Sequence, residues 1–273
     1  MLAAPQPLRA WVNPHLSPAG CLGAPSGPDP AGQLRAGEDW LRGQGCTTAR
    51  GPLDGSTWHR YRANVGPHDR PLFLGEPDAD PAPWQAAGYT VLKRYRTLFS
   101  HNPPQIAATR DRDRALRAAG WTLDTLDQLD SFEDALDLFY EMSLAAFPSN
   151  FSYSPIDRAG FHALYQPLRP IIRPGLVLVA RAPGGEAAGF CFSYPDLNNP
   201  GLRHLVIKTL AVVPAFRGHG LGSWMVGEKH RIAEEAGFAG CLHALMAAGN
   251  ISNKISRDRW SLVREYVLYE KTL

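Results

Sequence analysis

The chain has 273 residues, of which 44% are hydrophobic and 20% are charged, and its formal net charge at pH 7 is +2. This length allows one large domain or two domains of ordinary size, and the composition is that of a globular protein. A net charge so close to zero gives no reason to expect nucleic acid or an anionic membrane as a partner. No apolar run is long enough to span a bilayer, so we expect a cytoplasmic protein.

The four cysteines, Cys21, Cys46, Cys191 and Cys241, are far apart in the sequence. Cysteine metal sites and redox motifs usually contain closely spaced pairs. A chain of this length also does not need disulfides to be stable. We therefore expect reduced thiols and no metal site.

The first hundred residues show an intermittent pattern of elements. Residues 13–32 are rich in Pro, Gly and Ser, which predicts a loop. The elements predicted after it are a helix at 31–42, a strand at 46–50, a short helix capped at Ser56-Thr57 and a strand at 89–98. Residues 100–105 contain two consecutive prolines and are predicted to form a turn or linker. A charged connector helix is predicted to follow at 110–119.

From residue 121 the pattern becomes denser. Strands are predicted at 121–126, 176–181, 187–194, 204–213, 238–246 and 264–273, and helices at 131–146, 153–165 and 221–236. Ser131 can cap its helix with Asp134 three residues later, and Ser154-Pro155 suits the start of the next. Strands mixed with helices in this order predict an α/β fold with a mixed sheet.

One unit stands out, namely the strand at 204–213, the loop PAFRGHGLG and the helix that starts near Leu221. The glycines let the backbone turn tightly and approach a ligand closely. The free N–H groups and the dipole of the helix start attract an anion, and Arg217 adds a full positive charge. This combination predicts a diphosphate site.

Two common diphosphate motifs do not fit this loop. A P-loop requires Gly-Lys-Ser/Thr, which is absent, and a dinucleotide fold has GxGxxG near the start of a βαβ unit. The pattern Arg-x-x-Gly-x-Gly, after a strand that ends in Val-Pro, resembles the pyrophosphate loop of the GNAT superfamily of acetyl-CoA-dependent N-acetyltransferases. The order of elements from 121 to 273 also resembles that family's fold.

The resemblance implies acetyl-CoA as the cosubstrate. Backbone groups of the strand before the loop would bind the pantetheine arm, and the loop amides would bind the pyrophosphate. The strand at 238–246 would diverge from the strand at 204–213 and open a slot for the thioester. An Asn farther along would also contact the cosubstrate, and either Asn250 or Asn253 fits. The implied binding residues are Leu210, Ala211, Val212, Val213, Arg217, Gly218, His219, Gly220, Leu221, Gly222, Asn250, Asn253 and Ser256.

The catalytic acid and base stay open. The family frequently has a Tyr, as the acid toward the departing thiolate, where this chain has Trp260, and an indole N–H does not serve in that way. Ser256, Tyr266 and Tyr269 are the alternative acids, and departure of the thiolate without an acid is a further alternative.

A base near the slot is expected to deprotonate the acceptor amine. His243 lies on the diverging strand, and His204 and Lys208 lie on the strand before the loop. Tyr194 and Asp196, at the end of the hairpin, could face the acceptor. So could the aromatic residues Phe147, Phe151 and Tyr153, although packing over the core explains these equally well.

The first half repeats part of the rhythm of the second: a helix that ends at Gly, a strand, a polar loop and a Tyr-rich strand. It resembles the first lobe of uncharacterised bacterial tandem GNAT proteins, without the glycine loop. We therefore expect a degenerate GNAT-like lobe at 1–105, a connector helix at 106–120 and a GNAT domain at 121–273. An unrelated small α/β domain is the alternative for the first half, whose role would be to shape the acceptor site or to stabilise the second half.

The function expected from the resemblance is transfer of an acetyl group from acetyl-CoA to an amine of a small molecule or peptide, by a monomer or homodimer. The alternative is a non-catalytic CoA-binding or sensing module, motivated by Trp260 and the lack of an acidic base. A purely structural protein is a third possibility, against which the intact loop argues. The fold does not identify the acceptor.

Overall fold

The structure is a computed structural model that describes residues 8–129, 131–249 and 260–273. Within these ranges one sheet contains eleven strands. The strands are β1 (Ala10–Val12), β2 (Ala19–Leu22), β3 (Thr48–Gly51), β4 (Ala63–Gly66), β5 (Thr90–His101), β6 (Thr122–Thr125), β7 (Val177–Arg181), β8 (Ala187–Pro195), β9 (His204–Val212), β10 (Gly240–Ala247) and β11 (Ser261–Thr272). The α-helices are α1 (Pro30–Gly43), α2 (Ala82–Ala86), α3 (Asn102–Ala118), α4 (Phe132–Ala146), α5 (Arg158–Tyr165) and α6 (Leu221–Glu235).

The two halves of the chain exchange strands within this sheet. The strand order is β1-β2-β3-β11-β5-β10-β9-β8-β7-β6, and β4 also pairs with β11. The last strand, β11, thus lies between β3 and β5, which come from the first half. In turn, β5 lies between β10 and β11, which come from the second half. The predicted α/β fold with a mixed sheet is confirmed, because β9 pairs in parallel with β10 and antiparallel with β8.

Strand β11 can lie in the centre because both of its faces are apolar. Val263, Tyr266 and Leu268 belong to one core cluster, while Val267 and Tyr269 belong to another on the opposite face. Successive side chains of a strand point to opposite faces. A strand that is buried on both faces belongs inside a sheet rather than at its edge.

Helices cover both faces of the C-terminal part of the sheet. On one face, Leu116 of α3 and Trp224 of α6 pack with alternate residues of β7, β8 and β9. On the other face, Phe139 of α4 and Phe161 of α5 pack with the intervening strand residues. The contact between α3 and α6 is close, since a Cβ added at Gly227 would lie 2.0 Å from Thr109 Oγ1.

Several predicted elements are confirmed, among them α1, the hairpin β7–β8 and helix α4. The Ser131 side chain caps α4 by accepting a hydrogen bond from the Asp134 backbone N–H, as expected.

Two predictions in the first half were wrong. The predicted loop at 13–32 contains strand β2, which pairs with β1 and β3. The short helix predicted after Ser56 is instead a series of turns and bends, anchored where Trp58 Nε1 donates to the Ser154 carbonyl at 2.8 Å.

Two predicted boundaries were also wrong. The linker predicted at 100–105 does not form, because β5 continues to His101 and α3 begins at Asn102 with its prolines in the first turn. A helix tolerates Pro there, since the first N–H groups have no partner within the helix. Helix α5 begins at Arg158, capped by Asp157, rather than near Ser154.

Candidate functional site

Strands β9 and β10 pair only at their beginnings. The parallel ladder runs from Gly240↔His204 to His243↔Ile207, although β9 continues to Val212 and β10 to Ala247. The predicted divergence of the two strands is therefore present, and a slot opens between them. Beyond Ile207, the edge of β9 that faces the slot is free of this ladder, so its backbone groups are available to an extended ligand.

A β-bulge marks the point of divergence. In the pairing of β9 with β8, Thr209 lies opposite Phe192 and Ile207 lies opposite Ser193, so Lys208 is the extra residue. A bulge leaves its extra residue out of the ladder and re-aims its side chain. Burial, with a smaller contribution from the charge of Arg62, lowers the pKa of Lys208 to about 8.

The loop after β9 has the backbone that an anion site needs. Pro214–Phe216 form one 3₁₀ turn, and the φ angles of Gly218 and Gly220 are 93° and 81°. This left-handed region favours glycine. Helix α6 then starts at Leu221 without a side-chain cap. Its first N–H groups therefore have no capping partner and can bind a phosphate oxygen.

Two arginines flank this loop. Arg217 donates from Nη2 to the Ala146 carbonyl at 2.9 Å and from Nε to the Val212 carbonyl at 3.3 Å. Arg112 of α3 reaches the loop from the other side, because a Cβ added at Gly220 would lie 2.7 Å from Arg112 Nε. Arg112 is not among the residues that the sequence predicts for the site. Only the charge of its helix was visible, and its position depends on the packing of α3 against α6.

The other predicted loop and strand residues lie around the same slot. The side chains of Leu210 and Val212 pack on the α6 face, and Ala211 and Val213 pack on the opposite face. His219 is exposed, with its ring centroid 5.2 Å from that of Trp121. Leu221 is buried, and Gly222 lies beside Leu210. Asn250, Asn253 and Ser256 lie outside the described residues.

Tyr266 is buried in a chain of hydrogen bonds that reaches the slot. The Leu245 N–H donates to Thr97 Oγ1 at 3.1 Å, Thr97 Oγ1 is 3.0 Å from the Tyr266 hydroxyl, and that hydroxyl donates to Glu76. Arg264 Nε lies 3.0 Å from Glu76 Oε1. Burial, reinforced by Glu76, raises the pKa of Tyr266. Its hydroxyl is thus engaged with Glu76 and holds the diverging part of β10 through Thr97.

His243 is held in a neutral network. Asn102 Nδ2 donates to the Phe238 carbonyl at 2.9 Å, so Asn102 Oδ1 accepts from His230 Nδ1 at 2.9 Å. His230 Nε2 must then accept from His243 Nε2, at 3.2 Å. The His243 ring also stacks on Trp260, with centroids 3.6 Å apart. Burial holds the pKa of His243 well below its usual range, which favours a structural role.

The remaining candidates have structural partners. Tyr269 contacts two residues of the N-terminal half: its ring stacks on Trp84, and its hydroxyl accepts a hydrogen bond from Gln85. The ring of His204 packs on Phe99, and burial lowers the pKa of His204. Tyr194 donates to the Leu74 carbonyl, and Asp196 accepts from the Leu74 N–H.

Aromatic residues cover the α4–α5 face beside the slot. Trp58 packs on Phe147 and Tyr153, with ring centroids 6.3 Å apart in each case, and Phe151 is 38% exposed. A small cavity of about 20 Å³ also lies on this face, lined by residues that include Phe132, Phe139, Phe161, Phe190, Phe192 and Thr209. Thr209 adjoins the bulge, so the cavity lies next to the inner end of the slot.

In the described ranges, no helix combines the length and the apolar character needed to cross a membrane.

Comparison with known proteins shows which family and which solved structures this chain resembles. Residues 136–260 match the family model described as Acetyltransferase (GNAT) family. A bacterial ceramide synthase from Caulobacter vibrioides (strain NA1000 / CB15N) is 25% identical over 308 aligned residues, which cover 98% of this chain and 78% of that protein. A GCN5-related N-acetyltransferase structure from Sphaerobacter thermophilus superposes with a TM-score of 0.58 at 13% identity, covering 97% of this chain and 76% of that one.

A tandem GNAT protein from the clavulanic acid biosynthesis pathway superposes with a TM-score of 0.50 at 15% identity, covering 94% of this chain and 76% of that one. At such identities the structural similarity shows the fold alone, and it extends through both halves of the chain. The family match covers the glycine loop, both diverging strands and α6. Residues 136–260 of this chain are therefore similar to the GNAT family, and this similarity makes the protein an acyltransferase.

Proposed function

We propose that this protein transfers an acetyl group from acetyl-CoA to the amine of an acceptor by direct attack. The amine nitrogen forms a C–N bond to the thioester carbonyl carbon, and the C–S bond breaks. The proton lost by the attacking amine ends on the sulfur of the released CoA. The products are an amide and a free thiol, so atoms and charge balance.

The observation that carries the proposal is the glycine loop beside diverging strands. Gly218 and Gly220 bring backbone N–H groups to the start of α6, which suits a pyrophosphate. From Lys208 to Val212, β9 offers a free edge to the extended pantetheine arm. Its inner end, at the bulge, is where the thioester would lie.

The chain's own residues hold and orient the reactants. Arg217 and Arg112 flank the loop and add charge for the phosphates. The hydrogen bond from Leu245 to Thr97 fixes the far wall of the slot, so the reacting atoms would meet in a preorganised space. Contacts from Asn250, Asn253 and Ser256 stay predictions.

A longer acyl donor is a second candidate, motivated by the Caulobacter relative and by the aromatic side chains beside Thr209. A hydrocarbon chain gains about 0.8 kcal/mol for each CH₂ that it buries. The Caulobacter relative is a ceramide synthase, and a ceramide is an N-acylated lipid amine. In this variant, the acyl chain would extend from the thioester between the aromatic side chains that line the small cavity, and these side chains would have to move apart to admit it.

Binding is tested by the melting temperature of the protein with saturating acetyl-CoA. We expect a clear increase, and we expect Gly220→Glu to abolish it through steric conflict and negative charge. The matched control is Gly185→Glu, since Gly185 also has a positive φ of 92° but lies in the β7–β8 turn with open space around its Cβ position. An unchanged melting temperature of the wild-type protein would contradict the proposal.

Turnover is tested by thiol release with a broad panel of amines. Acetyl-CoA and palmitoyl-CoA are compared as donors at equal concentration. Faster release with acetyl-CoA supports the first candidate, and faster release with palmitoyl-CoA supports the second. Binding without release by either donor would instead indicate a CoA-binding module.

A further inference from the structure

Lys208 lies where the slot opens. The ladder between β9 and β10 ends at Ile207↔His243, so Lys208 is the first residue of β9 beyond it. Lys208 is also the extra residue of the bulge in the pairing of β9 with β8. The backbone of Lys208 is therefore part of the inner end of the slot, where the thioester would lie.

The bulge directs the Lys208 side chain to the α4–α5 face of the sheet. Ile207 and Leu210 pack on the α6 face, whereas Val206 packs on the opposite one. Thr209 lines the small cavity on the α4–α5 face. Side chains alternate along a strand, and a bulge interrupts this alternation. Lys208 and Thr209 therefore point to the same face, which is the face that is free of the glycine loop and α6.

The Lys208 amine has no partner in the part of the chain that the structure describes. Lys229 Nζ donates to the Leu176 carbonyl at 2.6 Å, and Lys271 Nζ lies 3.0 Å from a carboxylate oxygen of Glu38. Lys208 is partly exposed and forms neither a hydrogen bond nor an ion pair of this kind. Its Nζ is therefore available to a molecule bound in the slot.

A lysine in this position can act as a nucleophile. A neutral amine attacks a carbonyl carbon, and removal from water favours the neutral form of lysine. Burial is the main reason why the pKa of Lys208 is lowered to about 8. The four-carbon stem of lysine is flexible, so the amine can move toward a group held beside its own backbone.

We infer that Lys208 is a self-acetylation site, at which the chain accepts the acetyl group of its bound acetyl-CoA when no acceptor occupies the slot. The inference rests on the proposed function, because it places the thioester at the inner end of the slot. Acetylation would remove the positive charge of Lys208 and leave an amide where an acceptor would bind. Since an amide is a poor acyl donor, the modified chain would stay blocked.

The reaction has the same balance as transfer to an external amine. The neutral Nζ of Lys208 forms a C–N bond to the thioester carbonyl carbon, and the C–S bond breaks. The proton that the nitrogen loses ends on the sulfur of the released CoA. Each chain can therefore consume one acetyl-CoA in this way and release one free thiol.

The test incubates the full chain with acetyl-CoA, without any acceptor, and follows the mass of the intact protein. Peptide mapping then locates the acetyl groups. We expect Lys208 to be acetylated at least about tenfold faster than Lys93, because a bound thioester is held beside Lys208 alone. Lys93 is the matched reference, since it is also partly exposed but lies on β5 opposite Leu268 of β11.

Three further measurements separate a reaction inside the slot from one in solution. Gly220→Glu should slow the acetylation of Lys208 to the rate of Lys93, whereas Gly185→Glu should leave it unchanged. Excess CoA should slow the acetylation of Lys208 and leave that of Lys93 unchanged, and this result carries the test if Gly220→Glu does not fold. Lys208→Arg should remove one acetyl group from the intact mass.

Equal rates at Lys208 and Lys93 would overturn the inference. So would a rate at Lys208 that neither Gly220→Glu nor excess CoA lowers. The melting temperature with acetyl-CoA is measured in the same samples. An increase without acetylation of Lys208 overturns this inference alone, whereas the absence of any increase contradicts the proposed function as well.

Discussion

The loop end and the far wall of the slot are built from different parts of the chain. The loop end (residues 214–222) is one contiguous stretch that follows β9, and Arg112 of the more distant helix α3 lies beside it. The far wall joins β10 to β5 and β11 through Leu245, Thr97 and Tyr266. A local motif thus forms the loop end, whereas the exchange of β5 and β11 between the halves forms the far wall.

The exchange has a consequence for the N-terminal half. If that half only stabilised the protein, its residues would contact the core and would not reach the slot. Instead, the hydrogen-bonded chain from Glu76 through Tyr266 and Thr97 ends at Leu245, on the diverging part of β10. The first half is therefore part of the wall of the slot, and four experiments test this difference between the loop end and the far wall.

The largest expected effect is on the buried ion pair that joins the halves. Arg264 and Glu76 have side chains that are 2% and 0% exposed. Arg264→Met leaves the Glu76 carboxylate buried without its partner, which should lower the free energy of unfolding by about 3–5 kcal/mol. Urea denaturation followed by circular dichroism measures this loss.

The control is Arg114→Met, which removes an ion pair with Asp111 whose side chains are 72% and 93% exposed. It should cost less than about 1 kcal/mol. Similar losses for the two variants would mean that the buried pair does not hold the halves together.

The second effect concerns pH and the core of the C-terminal half. Burial lowers the pKa of His230 to about 3, and it lowers that of His243 well below the usual value near 6.5. Below pH 6.5, and above the lowered pKa of each histidine, the unfolded chain therefore binds more protons than the folded chain. Stability is therefore fully present above pH 6.5 and lost as the pH falls, approaching about 1.4 kcal/mol per pH unit for each histidine.

Urea denaturation at several pH values between 7.5 and 5 measures this slope. The slope should be unchanged in His15→Asn, because His15 is exposed in the N-terminal half. A stability that is constant from pH 6.5 to 5 would contradict the neutral histidine network.

The third effect tests Arg112, which reaches the loop end from helix α3. Arg112→Met should weaken CoA binding about tenfold, or roughly 1.4 kcal/mol, since it removes a cation beside the phosphates. Arg114→Met on the same helix is the control and should bind CoA normally. Calorimetric titration with CoA compares the two variants. Equal affinities would mean that the loop end binds CoA without a contribution from helix α3.

The smallest effect compares one helix cap from each half. The Asp29 side chain caps α1 through the Gly32 N–H, and Ser131 caps α4 through the Asp134 N–H. Asp29→Ala and Ser131→Ala should each lower stability by about 1 kcal/mol. Because one sheet joins the halves, each substitution should shift a single thermal transition in calorimetry. Two transitions that respond separately would show that the halves unfold independently.

Local patterns predicted much of the fold. Helices α1, α4 and α6 were predictable because each has apolar residues at helical spacing and a clear start or stop, such as Ser131 or the glycine at 237. The loop end was predictable because only glycine adopts the conformations of Gly218 and Gly220 easily. These features depend on residues that are close in sequence.

Other features depend on residues that are far apart in sequence. The segment after Ser56 has a plausible cap, but the hydrogen bond of Trp58 to the Ser154 carbonyl holds it in turns. Strand β2 lies in a stretch rich in Pro and Gly, and it forms because β1 and β3 pair with it. No local signal indicated that β11 would lie between β3 and β5.

The similarity of the C-terminal half to GNAT proteins and the position of its glycine loop could thus be read from the sequence, because both follow from local backbone preferences and spacing. The place of Arg112 beside the loop and the hydrogen bonds from Leu245 through Thr97 to Tyr266 became visible in the folded chain alone. Helix packing and strand pairing create these contacts, and both depend on residues across the whole sheet rather than on sequence neighbours.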